Sequence, residues 1–528
     1  MARRTDLTLS PLWSAGAVVQ RRHPITIWGR AEAGQPVHVS LAGLTGAASA
    51  GTSGDWQVTL PPLEAGGPYD LTAQAGDEVL TVPDVLVGDV WILGGQSNME
   101  MSLAQCRFMY PWDIQSADQP GIRQFRWPFS YNFDQPQDDL TAGAWTAATP
   151  ASVLDFSAAG YFFARRIHQV TGVPIGLIFT SVGGSPIQSW MSRDMLAPFP
   201  EIVARLDQLT PQYVAKLQGD DEAAVAQWEQ QANARDEGLE SGWQTPGFDD
   251  SGWAQHDLTV PLSADLQRSG VVWLRRTVDV PDGCAGGPAS LVLGLLGDAD
   301  EVWVDGQLVG NTDDRYTTRA YSIDCLPARR CVIAIRLRVY NGRGEVTPGK
   351  FHLLHTAARD VDLDGLWRVR RGILLDDLPE ATVWQWEPAG LFNAMIHPLR
   401  RLGVKGVLWY QGESDAGRPG KYTDRFAAMV QGWRALFSDD ALPFYWSQLA
   451  HYAPALDHLD DWGDFRRQQA QCLALPHTAM TATTDIGDAD DLHPANKRDV
   501  GERLAWAALS DTYGCDLGVN PYVLRSQG

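Results

Sequence analysis

From Val87 onward, short apolar segments of strand character alternate with segments of helical periodicity. Nothing else in the chain limits the fold as strongly. Residues 89–93, 175–180, 406–410, 444–449 and 478–484 read as short buried strands. Between them lie stretches such as 158–170, where Phe162, Phe163, Ile167 and Val170 fall at helical spacing. Apolar strands that alternate with helices pack as a parallel sheet covered on both faces, so the expected class is α/β.

Two regions depart from this pattern. Residues 8–85 alternate apolar and polar positions in short runs, such as Val37-His38-Val39 and Trp56-Gln57-Val58-Thr59-Leu60, separated by glycine and proline turns. That is the signature of a small antiparallel β-sandwich. Residues 225–372 again read as all-β, with strands expected near 271–280, 290–295, 301–304 and 331–340, and Asp305-Gly306 as a hairpin turn. The expected organisation is a sandwich over 8–85, an α/β domain split into 86–224 and 373–528, and a β-sandwich inserted at 225–372. Insertion at a surface loop costs little, because the chain ends of a compact domain often lie close together.

Composition narrows the partners. Sixty-four acidic against 42 basic residues leave a net charge of −22. That charge argues against nucleic acid or an anionic membrane as the main partner, since both need a basic footprint. No apolar run is long enough to span a bilayer. Residues 1–22 carry Arg3 and Arg4 without a following apolar stretch and do not read as a signal peptide, which leaves the compartment open. None of the six cysteines stands in a CxxC pair, so buried free thiols are expected. A disulfide among Cys284, Cys325 and Cys331 is the alternative. The 21 tryptophans are expected mainly in cores, with sugar stacking as the other role.

Four segments carry chemistry, and each falls at the carboxyl end of an expected strand, the edge at which open α/β sheets bind ligands. In Gly94-Gly95-Gln96-Ser97-Asn98-Met99-Glu100 the glycines permit a tight turn, and the serine opens a helix whose free N–H groups favour developing negative charge. A plain helix N-cap fits that segment too. In Ser181-Val182-Gly183-Gly184-Ser185 a glycine N–H can face a substrate oxygen. In Trp409-Tyr410-Gln411-Gly412-Glu413-Ser414 the Gln411 amide can serve an oxyanion hole, and Glu413 can orient its neighbours. In Asp488-Ala489-Asp490-Asp491-Leu492-His493-Pro494 a carboxylate three residues before the histidine can accept Nδ1–H, leaving Nε2 to take a serine proton. A Ca²⁺ loop is disfavoured there, because the spacing is not that of an EF-hand and histidine suits Ca²⁺ poorly.

Together these segments resemble the sialate O-acetylesterase-like branch of the SGNH (GDSL-type) hydrolases. The match lies in Gly88-Asp89-Val90-Trp91 with Gly95-Gln96-Ser97-Asn98-Met99, in Gly183-Gly184-Ser185-Pro186-Ile187 with Trp190, in Trp409 to Ser414, and in Asp491-Leu492-His493-Pro494. The resemblance implies a three-layer α/β/α SGNH domain that hydrolyses acetyl esters on sugars without metal or cofactor. It implies Ser97 as nucleophile and His493 as base, with an oxyanion hole from Ser97, Gly183 or Gly184, and Gln411. The acid is Asp490 by the superfamily's Asp-x-x-His spacing, with Asp491 and Glu413 as rivals. The insert is similar to the galactose-binding-like jelly rolls of some glycosidases, through Trp243-Gln244, Phe248 to Trp253 and Val302 to Gly306. Related architectures include plant-polysaccharide acetylesterases, so the expected substrate is an acetylated hemicellulose of xyloglucan or xylan type. Sialate esters, or sugar binding without catalysis, are the alternatives.

Overall fold

A computed structural model describes residues 6–107, 109–313, 315, 317–342, 344–346, 350, 352–418, 420–453, 459–489 and 491–526. The chain divides into two compact units, Met1–Pro211 with Val383–Gly528, and Gln212–Thr382.

The first unit is built on a sheet whose spatial order is Ala144–Ala148, Gln119–Arg126, Ile175–Phe179, Glu78–Gly95, Gly406–Tyr410, Phe444–Ser447, Thr478–Thr481, Val523–Arg525. The inner pairings are parallel, and the two edge strands run antiparallel to their neighbours. The class is α/β. Glu78–Gly95 lies centrally: the chain first lays the strands Gln119–Arg126, Ala144–Ala148 and Ile175–Phe179 on one side, with Ile175–Phe179 filling the place next to it, and then builds the other side from Gly406–Tyr410 outward. Its carboxyl end is therefore the topological switch point of the sheet, where a crevice opens between diverging connections. Three of the strands were not expected from the sequence: Gln119–Arg126, Ala144–Ala148 and Val523–Arg525. Gln119–Arg126 reads QPGIRQFR, too polar and glycine-interrupted for an apolar-run criterion.

The sheet is covered on both faces because alternate residues point opposite ways. Trp91, Leu93, Leu408 and Tyr410 share a core with Phe162, Phe163 and Ile167 of the Ala158–Thr171 helix and with Val500, Leu504 and Ala508 of the Lys497–Asp511 helix. Each such large apolar side chain contributes about 1.5–3 kcal/mol on burial. Trp409, one residue out of phase, meets Trp190 and Trp433 edge-on, with ring centres 6.2 and 5.9 Å away. The Ala158–Thr171 helix begins where Ser157 Oγ accepts the Gly160 N–H at 3.1 Å and ends at Gly172 in the left-handed region. Val170, expected on its apolar stripe, is exposed.

Glu78–Gly95 is one continuous strand of 18 residues. Its first half pairs antiparallel with Gly66–Ala75, in the β-region that also holds Ile25–Arg30, Pro36–Leu41 and Asp55–Leu60. Its second half is the central strand of the parallel sheet. The N-terminal β-region thus joins the split α/β region in one unit rather than forming a unit of its own.

Among the described residues the second unit holds a two-stranded pairing of Leu296–Gly297 with Glu345–Val346 and two larger antiparallel sheets. One is ordered Ala254–Asp257, Leu366–Leu374, Gly270–Asp279, Arg330–Val339, Ala299–Val304, Gln307–Thr312, and the other Arg319–Ile323, Ala289–Gly294, His352–Thr356, Asp360–Asp362. Val272, Leu274, Ile335 and Leu337 of the first share a core with Leu291, Leu293 and Leu354 of the second. Asp305 and Gly306 both have positive φ, 48° and 81°, as the two-residue hairpin turn requires. The unit starts earlier than residue 225, because the Pro211–Arg235 helix seats Trp228 and Ala232 against Trp243, Trp273 and Trp303. All six cysteines are free; Cys325 is exposed, and four are buried.

Candidate active site

The serine turn forms because two glycines let strands come together. A Cβ on Gly95 would lie 2.1 Å from the Tyr410 carbonyl oxygen, and φ there is +127°. Gln96 then ties this turn to the next loop. Its N–H donates to the Tyr410 carbonyl at 3.0 Å, and its Oε1 accepts the N–H groups of Gly412 and Ser414, each at 3.2 Å. Ser97 opens the short Ser97–Glu100 helix, and no side chain caps that helix at Gln96.

Ser97 Oγ lies 2.8 Å from His493 Nε2, joining residues 396 apart in sequence. Asp491 Oδ1 accepts the backbone N–H of His493 at 2.8 Å, bracing the loop that carries the imidazole. Asp490 lies outside the described residues. Asn98, next to the serine, donates to Glu413 Oε1 at 2.5 Å and to the Leu492 carbonyl at 3.0 Å. Glu413 Oε2 is buried and has no hydrogen-bond partner among the described residues. Burial pushes the Glu413 pKa up, opposed by the Asn98 hydrogen bond and by Lys497.

The expected oxyanion donors separate in the structure. Among the described residues no protein acceptor takes the N–H of Ser97 or of Gly184, so both can face a substrate oxygen. Gly184 has φ +72°, in the left-handed region that suits glycine. The Gly183 N–H is engaged, donating to Glu100 Oε2 at 2.5 Å. A Cβ on Gly183 would lie 3.7 Å from Ser97 Cβ, so the Glu100 carboxyl sits beside Ser97. Burial raises the Glu100 pKa, opposed by that N–H and by Arg126.

Gln411 departs from its expected role. It is 0% exposed, and its amide nitrogen donates to Asp415 Oδ2 at 2.5 Å and to the Ser185 carbonyl at 3.2 Å. Its Oε1 accepts from Tyr422 Oη at 3.0 Å. Both amide hydrogens are thus committed inside the protein, leaving none for a substrate oxygen. Asp415 also accepts the Ile187 N–H at 2.8 Å, so the buried Gln411–Asp415 pair joins the loop after Tyr410 to the loop after Phe179. Sequence reasoning missed Asp415, Glu100, Asn98 and Lys497. The first three stand inside or next to the quoted motifs, and Lys497 follows the histidine by four residues.

Trp386 flanks the site. It is 47% exposed, and its Nε1 lies 3.5 Å from where a Cβ on Gly184 would stand. The Arg418 guanidinium is 5.5 Å from its ring centre.

A serine beside a histidine at the carboxyl edge of a parallel sheet, with free amides close by, is the arrangement of acyl-transfer hydrolases. Residues 87–234 and 380–510 match the family model described as carbohydrate esterase, sialic acid-specific acetylesterase. A sialate O-acetylesterase of Rattus norvegicus is 24% identical over 92% of this chain and 70% of its own length; that of Mus musculus is 24% identical over 88% and 64%. The chain thus spans about two thirds of these curated relatives. Among solved structures, a carbohydrate acetylesterase from Xanthomonas citri, XAC1771, is similar with a TM-score of 0.59 and 30% identity, over 97% of this chain and 77% of that one. The protein belongs to the carbohydrate esterase, sialic acid-specific acetylesterase family and is a carboxylic ester hydrolase.

Proposed function

We propose that this protein is a carbohydrate O-acetylesterase of SGNH-type layering that removes acetyl groups from sugar hydroxyls through an acyl-enzyme on Ser97. The observation that carries the reading is the 2.8 Å contact between Ser97 Oγ and His493 Nε2. In the first step His493 takes the serine proton as Oγ attacks the acetyl carbonyl, and the N–H groups of Ser97 and Gly184 receive the oxyanion. The protonated imidazole then gives its proton to the departing sugar oxygen. Water repeats the sequence on the acyl-enzyme and releases acetate. Asp490 is the proposed acid that holds the imidazole.

The proposed substrate is an acetylated hemicellulose of xyloglucan or xylan type. The 30% identity to a carbohydrate acetylesterase over nearly the whole chain supports an acetylated carbohydrate as substrate, and the exposed Trp386 indole offers a flat apolar face for a sugar ring. A second reading, hydrolysis of O-acetyl sialic acids, draws support from the sialate O-acetylesterase relatives. The test is acetate release from acetylated xyloglucan, acetylated xylan and O-acetylated sialic acid, with Ser97→Ala as control. Release from sialic acid alone overturns the hemicellulose reading. Undiminished release by Ser97→Ala overturns the mechanism.

A further inference from the structure

We infer that Lys497 and Asn98 form a clamp that positions His493 against Ser97, so that Lys497 is a positioning residue for the base. The inference rests on the Ser97–His493 reading above and goes beyond it.

The clamp is built from four contacts. Lys497 Nζ donates to Asn98 Oδ1 at 2.6 Å and to the Pro494 carbonyl at 2.7 Å. Asn98 Nδ2 donates to the Leu492 carbonyl at 3.0 Å and to Glu413 Oε1 at 2.5 Å. The carbonyls before and after His493 are therefore both held, one by Asn98 directly and the other through Lys497. Asn98 is the residue that follows the nucleophile. One polar chain thus ties the backbone of the serine to the backbone on both sides of the histidine.

The placement of Lys497 is costly by local rules. It is 0% exposed, and it is the first residue of the Lys497–Asp511 helix, whose N-terminus disfavours a cation. A buried ammonium also loses its hydration. Local rules broken in this way are expected where function repays them. The groups facing Lys497 are Glu413 and the Tyr410 ring from the strand-end loop, Cys106 from the segment after the serine helix, and Asp491 from the histidine loop. Burial holds the Cys106 thiol up at about 11, so it is neutral at pH 7. Burial lowers the Lys497 pKa to about 8, with the carboxyl groups of Glu413 and Asp491 opposing. Below that pH the ammonium has protons for both oxygens. Above it the neutral amine still has two N–H donors but no charge, so both bonds lose their charge assistance and the clamp loosens.

The experiment compares wild type, Lys497→Met, Lys497→Arg, Asn98→Ala and Lys497→Met with Asn98→Ala. Each is assayed on p-nitrophenyl acetate from pH 5 to 10, with folded sites counted by stoichiometric fluorophosphonate labelling. A displaced base costs ~10²-fold in rate, so Lys497→Met is expected to lose about that factor in kcat per labelled site, with KM little changed. The double variant is expected to be no worse than the poorer single, because the two residues act as one unit. Wild-type kcat is expected to fall above about pH 8, and Lys497→Arg, which keeps its charge, to move that fall upward. Wild-type kcat per site in Lys497→Met, or losses that multiply in the double variant, overturns the clamp. If Lys497→Met does not fold, Asn98→Ala decides: full kcat per site overturns the clamp, and a loss near that factor upholds it. Failure of the underlying reading is separate, since it shows as unchanged turnover in Ser97→Ala.

Discussion

Glu100 Oε2 accepts the backbone N–H of Gly183 at 2.5 Å, beside the Ser97 turn. An ionised carboxylate at that point repels an oxyanion forming near Ser97, whereas a neutral carboxyl does not. Burial raises the Glu100 pKa and so favours the neutral form. An acid whose pKa is raised by folding contributes stability that is fully present below its unfolded value and lost as pH rises through its folded value. Glu100→Gln is therefore expected to gain thermal stability over wild type at pH 7, and the gain should vanish below about pH 4, where an unfolded glutamate is protonated. Its kcat at pH 8 is expected to rise by up to ~10-fold, about 1.4 kcal/mol of relieved repulsion. A tenfold fall instead would make Glu100 a substrate-binding group. Thermal melts at both pH values and kcat at pH 8 check this.

Ser97→Ala and His493→Ala should each lower kcat by ~10³-fold or more, and the double variant should be little worse, because the proposed nucleophile and base act as a unit. Their melting temperatures should stay near wild type. Steady-state kinetics with p-nitrophenyl acetate decide it.

Asp490→Asn is expected to cost far more kcat than Asp491→Asn. Asp491 already accepts the His493 backbone N–H, a contact that an asparagine oxygen keeps. The reverse order would transfer the role of acid to Asp491.

Gln411→Ala should register first in stability. Removing the amide takes a partner from the buried Asp415 carboxylate and from the Ser185 carbonyl. Asp415 keeps the Ile187 N–H, so the main cost is the Ser185 carbonyl, and a buried acceptor left unsatisfied costs about 1–3 kcal/mol. Urea unfolding should show this loss. A kcat deficit of ~10²-fold or more with unchanged stability would return Gln411 to the oxyanion hole.

Trp386→Ala should raise KM for acetylated oligosaccharides while leaving p-nitrophenyl acetate nearly untouched, since only a sugar needs the indole face. Equal effects on both substrates would remove Trp386 from glycan recognition.

What the sequence determined by itself was local and periodic. The apolar strand at 406–410 and the Ala158–Thr171 helix are legible because burial on one or both faces writes a period into the chain. Ser97 could be singled out because it stands just past the Gly94-Gly95 end of a strand, and His493 because carboxylates precede it at a spacing that can orient an imidazole. Tertiary structure decided the rest. The polar Gln119–Arg126 segment is a strand because Ile175–Phe179 and Ala144–Ala148 pair with it, not because its residues demand one. The N-terminal β-region shares a unit with the parallel sheet because Glu78–Gly95 runs unbroken through both. Gln411 looked like an oxyanion donor, yet Tyr422, Ser185 and Asp415 claim its amide. The role of Lys497 appears only when the first turn of its helix meets Asn98, 399 residues earlier. A hydrogen-bonding side chain advertises what it can donate, but its partner is whichever group the packed sheet places within about 3 Å, and no local pattern encodes that.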